Sequence, residues 1–357
     1  MTAAGQEPRE YPGRHRMPAE WESHSSTWLA WPRDAETWPG ILPRIPPVWA
    51  AFVGALREGE TVRVLSCDAA MDAEISASLG GDLTGVELFR VATQDVWIRD
   101  YGPTFVREVA APPGEGQLRL VDWGFNAWGH KYPSLTRDAQ VPQQIAGLLG
   151  LERVAGGMVL EGGSIDVDGE GTLLTTESCL LHPRRNPELD RAAIEQRLAA
   201  RLGVRRVIWL GEGIAGDDTD GHVDDLTRFV APGVVVTACE RREEDVNFRP
   251  LRENRERLRG ERDAVGRRLE VVELPMPDPV VHRLPDGGRQ RSPASYANFY
   301  VGNTAVLVPT YRCPADDEAL GILGELFAGR RVVGIDCHDV VLGMGSIHCV
   351  TQQQPKA

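Results

Sequence analysis

Residues 187–210, PELDRAAIEQRLAARLGVRRVIWL, decide the fold class. A helical pattern over 187–202 stops at Gly203, and a short apolar strand, 206–210, begins almost at once. The same order recurs at four other places. A helix over 48–58 stops at Gly59 and strand 61–67 follows; a helix over 138–149 stops at Gly150 and leads towards 158–160. A highly charged helical stretch at 249–258 precedes strand 269–274, and a helix over 316–328 stops at Gly329 before strand 331–336. Glycine just past a helix is the expected stop, because it takes the left-handed conformation without a Cβ penalty. Hairpins fill the gaps: 165–168 with 172–176, 227–230 with 234–238, and 296–301 with 305–308, each around a Gly-containing turn. The class is therefore α/β, with a unit of helix, strand and hairpin recurring about five times. The units share no evident sequence identity and are unevenly spaced, so on pattern alone a single irregular α/β domain is the simpler reading. Residues 1–16 read as a mobile polar segment and 17–357 as one domain, with no linker inside it. The densely charged stretch 240–268 reads as a solvated helix, not a binding surface.

Composition narrows the function. The 357 residues carry a net charge of −13, which argues against a nucleic-acid partner, since such a protein presents a basic face. Hydrophobic residues at 42% and charged residues at 25% are ordinary globular usage. No apolar stretch approaches the length that crosses a bilayer, so no membrane partner is expected. The first ten residues lack an apolar signal core, and the expected location is the cytoplasm. Six cysteines, widely spaced and without a CxxC pair, read as free thiols of a reducing compartment.

Four polar segments interrupt the apolar strands near where strands end. The first, 94–103, packs Asp95, Arg99 and Asp100 around Trp97 and closes with Tyr101-Gly102-Pro103, a tight turn. An Asp–Arg pair holding that turn explains it as well as function does, and Trp97 alone would be a core residue. The second is Glu161-Gly162-Gly163, a carboxylate followed by glycines that let backbone come close to a ligand. The third, 217–225, gathers five aspartates around His222; in an extended chain His222 and Asp224 would share a face. Carboxylates near a histidine favour its protonated form, which suits an acid/base role beside a cation-binding carboxylate. A solvated acidic loop or a metal site are the other readings. The fourth, 343–353, places Cys349 between a glycine-rich turn and a polar run. Most single cysteines are buried small hydrophobes, but these glycines argue for approach by a ligand and hence for a nucleophile.

Cys337-His338 and His348-Cys349 invite a zinc reading. Adjacent side chains of a strand point to opposite faces and the spacing is not that of paired zinc ligands, so nucleophilic chemistry is preferred and no metal is assigned. No phosphate-binding loop is present, and no cofactor is called for. A thiol–histidine hydrolase needs one orienting group; here there are several carboxylates. A guanidinium, a permanent planar cation whose N–H fork matches carboxylates, suits that surplus. One such pair at about 4 Å is worth roughly 4 kcal/mol at an effective dielectric of 20.

Six blocks carry a resemblance: 17–32 (MPAEWESHSSTWLAWP), 94–105 (QDVWIRDYGPTF), 161–187 (EGGSIDVDGEGTLLTTESCLLHPRRNP), 216–229 (GDDTDGHVDDLTRF), 295–300 (SYANFY) and 343–355 (GMGSIHCVTQQQP). In order across nearly the whole chain, they resemble the signature blocks of the agmatine deiminase family, related to bacterial peptidyl-arginine deiminases and part of the guanidine-modifying enzymes. The resemblance implies a five-bladed α/β propeller of pentein type with pseudo-fivefold symmetry, in one catalytic domain. It implies hydrolysis of agmatine to N-carbamoylputrescine and ammonia, a step of putrescine and polyamine biosynthesis, without metal or organic cofactor. It places the nucleophile on Cys349, the acid/base on His222 and the guanidinium-binding aspartates on Asp100 and Asp224. Trp97, Asp95, Asp220 and Glu161 match positions around the pocket. Two departures stand out. Met344 and Ser346 interrupt the family's glycine and asparagine run before Ile347-His348-Cys349, and His130 replaces a second glycine.

Three alternatives stay open at this stage. One is a deiminase or amidinotransferase for another guanidine, such as arginine, peptidyl-arginine or a specialised metabolite. Another is a non-catalytic binder of cations or polyamines. The third is a metal-dependent hydrolase. Trp21, Trp28, Trp31 and Trp38 read as core, with packing between copies of a homo-oligomer as the other option.

Overall fold

The structure, a computed structural model, describes residues 15–109, 117–284 and 287–357. Five of its sheets follow one plan. Each has a short first strand antiparallel to a second, and a third strand parallel to the second; a helix makes the parallel crossover. In chain order from residue 104 the strands are Thr104–Glu108, Leu118–Gly124 and Glu152–Val159; then Asp166–Val167, Thr172–Thr176 and Arg206–Leu210; then Thr227–Ala231, Val234–Cys239 and Glu270–Pro275. Tyr300–Val301, Ala305–Thr310 and Arg331–Asp336 follow. The remaining sheet joins both ends of the chain: Gln352–Pro355 runs antiparallel to His24–Ala30, which is parallel to Thr61–Ser66, with Val86–Arg90 added outside. A sixth, separate hairpin pairs Val281–Arg283 with Arg289–Arg291. The weak repeat of the sequence is thus a real structural one, while the strands and helices themselves have diverged.

The crossover helices are Pro46–Leu56, Val141–Leu149, Arg191–Leu202, Phe248–Leu258 and Ala315–Leu326. Two of the four expected glycine stops act as stops. Gly150 and Gly203 are left-handed, at φ 64° and 70°, and their amides close on Ala146 and Ala199 carbonyls. Gly59 and Gly329 are not: those helices end at Leu56 and Leu326, with Arg57 and Phe327 as caps. Asp190 starts its helix by accepting from the Ala193 amide at 2.8 Å. Ile194, Leu198 and Leu202 then fall one turn apart and are buried.

Residues 15–16, expected in the mobile segment, form a strand paired with Glu108 and Arg107; residues 1–14 lie outside the described residues. The expected strand over 296–301 is a 3-10 turn at Tyr296–Asn298 followed by two strand residues. Of the four N-terminal tryptophans, Trp28, Trp31 and Trp38 are fully buried in the largest core cluster and Trp21 packs against it half-buried. Trp38 stands edge-on to Trp49 with centroids 5.7 Å apart, and its indole donates to the Val340 carbonyl at 2.9 Å. Among the described residues no helix is long and apolar enough to cross a membrane.

Candidate active site

Three of the four polar segments meet at a single glycine. A Cβ built on Gly163 would lie 2.6 Å from His222 Nδ1, 2.9 Å from Asp100 Oδ1 and 2.9 Å from Asp224 Oδ2. Three side chains from two separate parts of the chain therefore close on one point that only a hydrogen can occupy. Gly163 sits in a 3-10 turn, Gly162–Ser164, just after Glu161. Asp100 comes from a one-turn helix, Ile98–Tyr101, ended by Gly102. Its Oδ1 accepts from the Gly163 amide and its Oδ2 from the Trp128 indole, both at 3.0 Å. The segment around His222 is not the extended strand expected: Val223–Asp225 is a 3-10 turn with His222 capping it. The turn still brings His222 and Asp224 together, by curvature in place of strand alternation.

Both ring nitrogens of His222 are buried without a completed hydrogen bond. Carboxylate oxygens stand a little further off, Asp100 Oδ1 at 3.6 Å from Nδ1 and Glu161 Oε2 at 3.9 Å from Nε2. Burial opposes a charge here, but Asp100, then the Cys179 and Glu161 side chains, outweigh it and hold the imidazole well above the usual histidine range. Burial, helped by Asp224 and Glu161 and opposed by His222, pushes Asp100 up to about 6. Glu161 is kept ionised against its burial by His222 and by Arg185, whose Nε donates to it at 2.7 Å.

Asp224 is fully buried and held below the usual carboxylate range despite that burial, chiefly by His348. His348 Nδ1 contacts Asp224 Oδ2 at 2.7 Å and its Nε2 contacts Glu20 Oε2 at 2.9 Å. Glu20 in turn faces Arg228 at 3.0 Å and Arg99 at 3.4 Å, and Arg228 is completed by Asp166 at 2.9 Å. This buried chain leaves Asp224 Oδ1 without a partner, an acceptor open for a donor. It also engages both nitrogens of His348, so the pair His348-Cys349 is not a ligand unit for a metal.

Cys349 Sγ lies 3.8 Å from Asp224 Oδ2 and 3.2 Å from Asn298 Nδ2. Burial first, then Asp224, Asp225 and Asp100, push the thiol well above its usual range. A cavity of about 360 Å³ reaches Cys349, Asp100, Trp97 and Asp95. Asp95 accepts from the Trp97 indole at 2.9 Å and from Thr37 at 2.8 Å, so it orients the tryptophan that forms the wall. Trp128, Tyr132, Met344 and the carboxylates Asp34, Glu36 and Asp218 also line it; no Lys, Arg or His is among the described lining residues. Met344 is left-handed at φ 75°. His222, Asp224 and Glu161 are not among the described lining residues: His222 lies between Asp100 and Glu161, and Asp224 lies against Cys349. Asp220 is not at the cavity either: it pairs with Lys131 at 2.8 Å and Arg185 at 2.7 Å.

Six site residues escaped sequence reasoning: Glu20, Trp128, Cys179, Arg185, Asn298 and His348 in its own right. All but Trp128 lie inside the six quoted blocks, so the blocks held the signal without saying which of their residues face the site.

The family model of the Porphyromonas-type peptidyl-arginine deiminases matches residues 16–355. The agmatine deiminase of Ectopseudomonas mendocina is 41% identical over 95% of both chains. Among solved structures, the agmatine deiminase of Enterococcus faecalis, catalysing its reaction, superposes with a TM-score of 0.87 at 34% identity over 96% of both chains. A substrate-bound cysteine-to-serine variant of the C. jejuni agmatine deiminase gives 0.84 at 30% identity, over 96% of this chain and 97% of that one.

Proposed function

Because this chain belongs to the Porphyromonas-type peptidyl-arginine deiminase family, we infer that it is an agmatine deiminase, a hydrolase of the guanidino C–N bond. The observation that carries the reading is the meeting of Asp100, Asp224 and His222 around Gly163, with Cys349 beside Asp224. The sign of the cavity wall selects the substrate's tail. Agmatine is cationic at both ends, whereas free arginine brings a carboxylate to a wall whose described charged residues are all acidic.

In this mechanism Asp100 and the open Oδ1 of Asp224 take the N–H groups of the guanidinium and fix its central carbon beside Cys349. Trp97, oriented by Asp95, covers the planar cation. The bound guanidinium offsets the carboxylates beside Cys349, and the thiol gives up its proton to solvent; the thiolate attacks, an S–C bond forms, and the tetrahedral centre collapses with cleavage of a C–N bond. His222 gives its proton to the departing nitrogen, which leaves as ammonia. The S-amidino intermediate is then attacked by water; His222 takes a water proton, the C–S bond breaks, and N-carbamoylputrescine leaves. Glu161, anchored by Arg185, keeps His222 oriented and protonated for the first half. Asp220 acts at a distance, by fixing Arg185 and Lys131.

The five like sheets are read as blades of one propeller, 17–357 as a single catalytic domain, and the free thiols as those of a cytoplasmic enzyme. Support comes from the shared strand plan and from the sheet that joins the two chain ends. Ammonia release from a guanidine panel tests the function. Agmatine is expected to be turned over well ahead of arginine, and Cys349→Ala to release no ammonia while still binding agmatine. Turnover by Cys349→Ala, or a preference for arginine, refutes the reading.

A further inference from the structure

The wall of the cavity that reaches Cys349 is graded. Asp100 and Cys349 are buried, Leu135, Leu284 and Met344 are half-buried, and Glu36 is exposed. A dication with an alkyl tail matches that order: guanidinium at the buried carboxylate, methylenes along the apolar band, amine towards the outer carboxylates. The loop 343–345 carries the apolar band down to the nucleophile. A Cβ on Gly345 would lie 2.6 Å from the Trp97 ring and 3.0 Å from Cys349 Cβ, and one on Gly343 would lie 2.9 Å from Thr37 Cγ2 and 3.0 Å from the Trp38 indole nitrogen. Neither flanking position has room for a side chain. Met344, between them, has one, and it lines the cavity.

The backbone does not favour a side chain there. Met344 sits at φ 75° and closes the 3-10 turn Val340–Gly343, its amide donating to the Val341 carbonyl at 3.0 Å. Glycine takes this capping conformation without penalty, whereas an L side chain takes it at a cost. The thioether is also held in place. Gln290, from the hairpin strand Arg289–Arg291, lays its side-chain amide against Met344 Sδ and near the Leu342 carbonyl. We propose that Met344 is a specificity-determining residue of this site. Its thioether fills the space beside the carbon chain of the guanidine, so that an unbranched tail fits and a tail branched at the carbon bearing its amine does not. Shape is thereby added to charge: arginine is refused for its carboxylate, and argininamide, which has none, is refused for its bulk.

The inference rests on the deiminase reading. Its test compares kcat/KM for agmatine and for argininamide, followed by formation of the ureido product, in wild type, Met344→Gly, Met344→Ala and Met344→Leu. The two substrates share the guanidinium and the amine and differ in one carboxamide branch. One methylene of misfit in an apolar pocket is worth about 10- to 200-fold in selectivity. Wild type is therefore expected to prefer agmatine by at least about tenfold. Met344→Gly is expected to lose at least about tenfold of that preference, through a gain on argininamide, with agmatine within about fivefold of wild type. Met344→Ala keeps a Cβ on the disfavoured backbone but not the bulk, and is expected to relax likewise; it answers alone should the glycine variant fail to fold. Met344→Leu restores the bulk and is expected to hold the preference within about threefold of wild type. An unmoved ratio in the glycine and alanine variants, an equal loss on both substrates, or a leucine variant as relaxed as glycine overturns the proposal. A wild type that turns over neither guanidine refutes the deiminase reading itself; a wild type that turns over agmatine but shows no preference over argininamide refutes only the role of Met344.

Discussion

Adding one methyl group at Gly163 is expected to disable the site without touching any group that does chemistry. The backbone there is not left-handed, so alanine brings no conformational penalty; the effect is purely one of space. The new Cβ would meet His222 Nδ1 at 2.6 Å, Asp100 Oδ1 at 2.9 Å and Asp224 Oδ2 at 2.9 Å. Ordinary contact is about 3.5 Å, so the three groups must retreat by roughly 0.6–0.9 Å. None is free to do so. Asp100 is tied to the Gly163 amide and the Trp128 indole, Asp224 to His348, and His222 is enclosed by Asp100 and Glu161. Overpacking of this kind costs about 1–3 kcal/mol of stability, which a folded chain of this size tolerates. A misplacement near 1 Å costs about a hundredfold in rate. Gly163→Ala is thus expected to lose at least about a hundredfold in kcat/KM for agmatine, measured by ammonia release, with a Tm lowered by only a few degrees. Activity within about threefold of wild type would mean that His222, Asp100 and Asp224 do not act around this point.

Two further outcomes follow from the electrostatics. Asp100 must be ionised to grip a guanidinium and its carboxyl is pushed up to about 6; kcat/KM is therefore expected to fall as pH falls through about 6, with the carboxylate lost on the acid side, and a profile flat down to pH 4.5 would contradict its role. A thiol behind a wall whose described charged residues are all acidic is expected to react faster with a cationic amidine electrophile such as chloroacetamidine than with iodoacetate, after correction for intrinsic reactivity; equal or reversed rates would remove the acidic-pocket account.

Local order was legible in the chain because helix and strand periodicity and capping are short-range. The strands at 206–210 and 331–336 fall where the pattern puts them, and the crossover helices lie within a few residues of their expected bounds. Gly59 and Gly329 misled because a glycine after an apolar run need not be left-handed; those helices close on ordinary residues before it. Thr104–Glu108 and Leu118–Gly124 were missed although Pro112-Pro113-Gly114 between them marks a turn, because the link is longer than the short loop of a typical hairpin. In the site, residue types were informative and roles were not. Asp220, Glu161 and Asp100 look alike as acids near glycines, yet Asp220 is spent on Lys131 and Arg185, Glu161 stands behind His222, and only Asp100 reaches the cavity.

Sequence alone determined the α/β class, since helix and strand periodicity is written in a few neighbouring residues; the recurring unit was only weakly legible, and the thiol, imidazole and carboxylates were assigned by the resemblance of whole blocks. Only the tertiary structure decided that Gln352–Pro355 lies against His24–Ala30 and that Asn298 points at Cys349. Such contacts join positions far apart in the chain and depend on distances of a few tenths of an ångström, which no local pattern encodes.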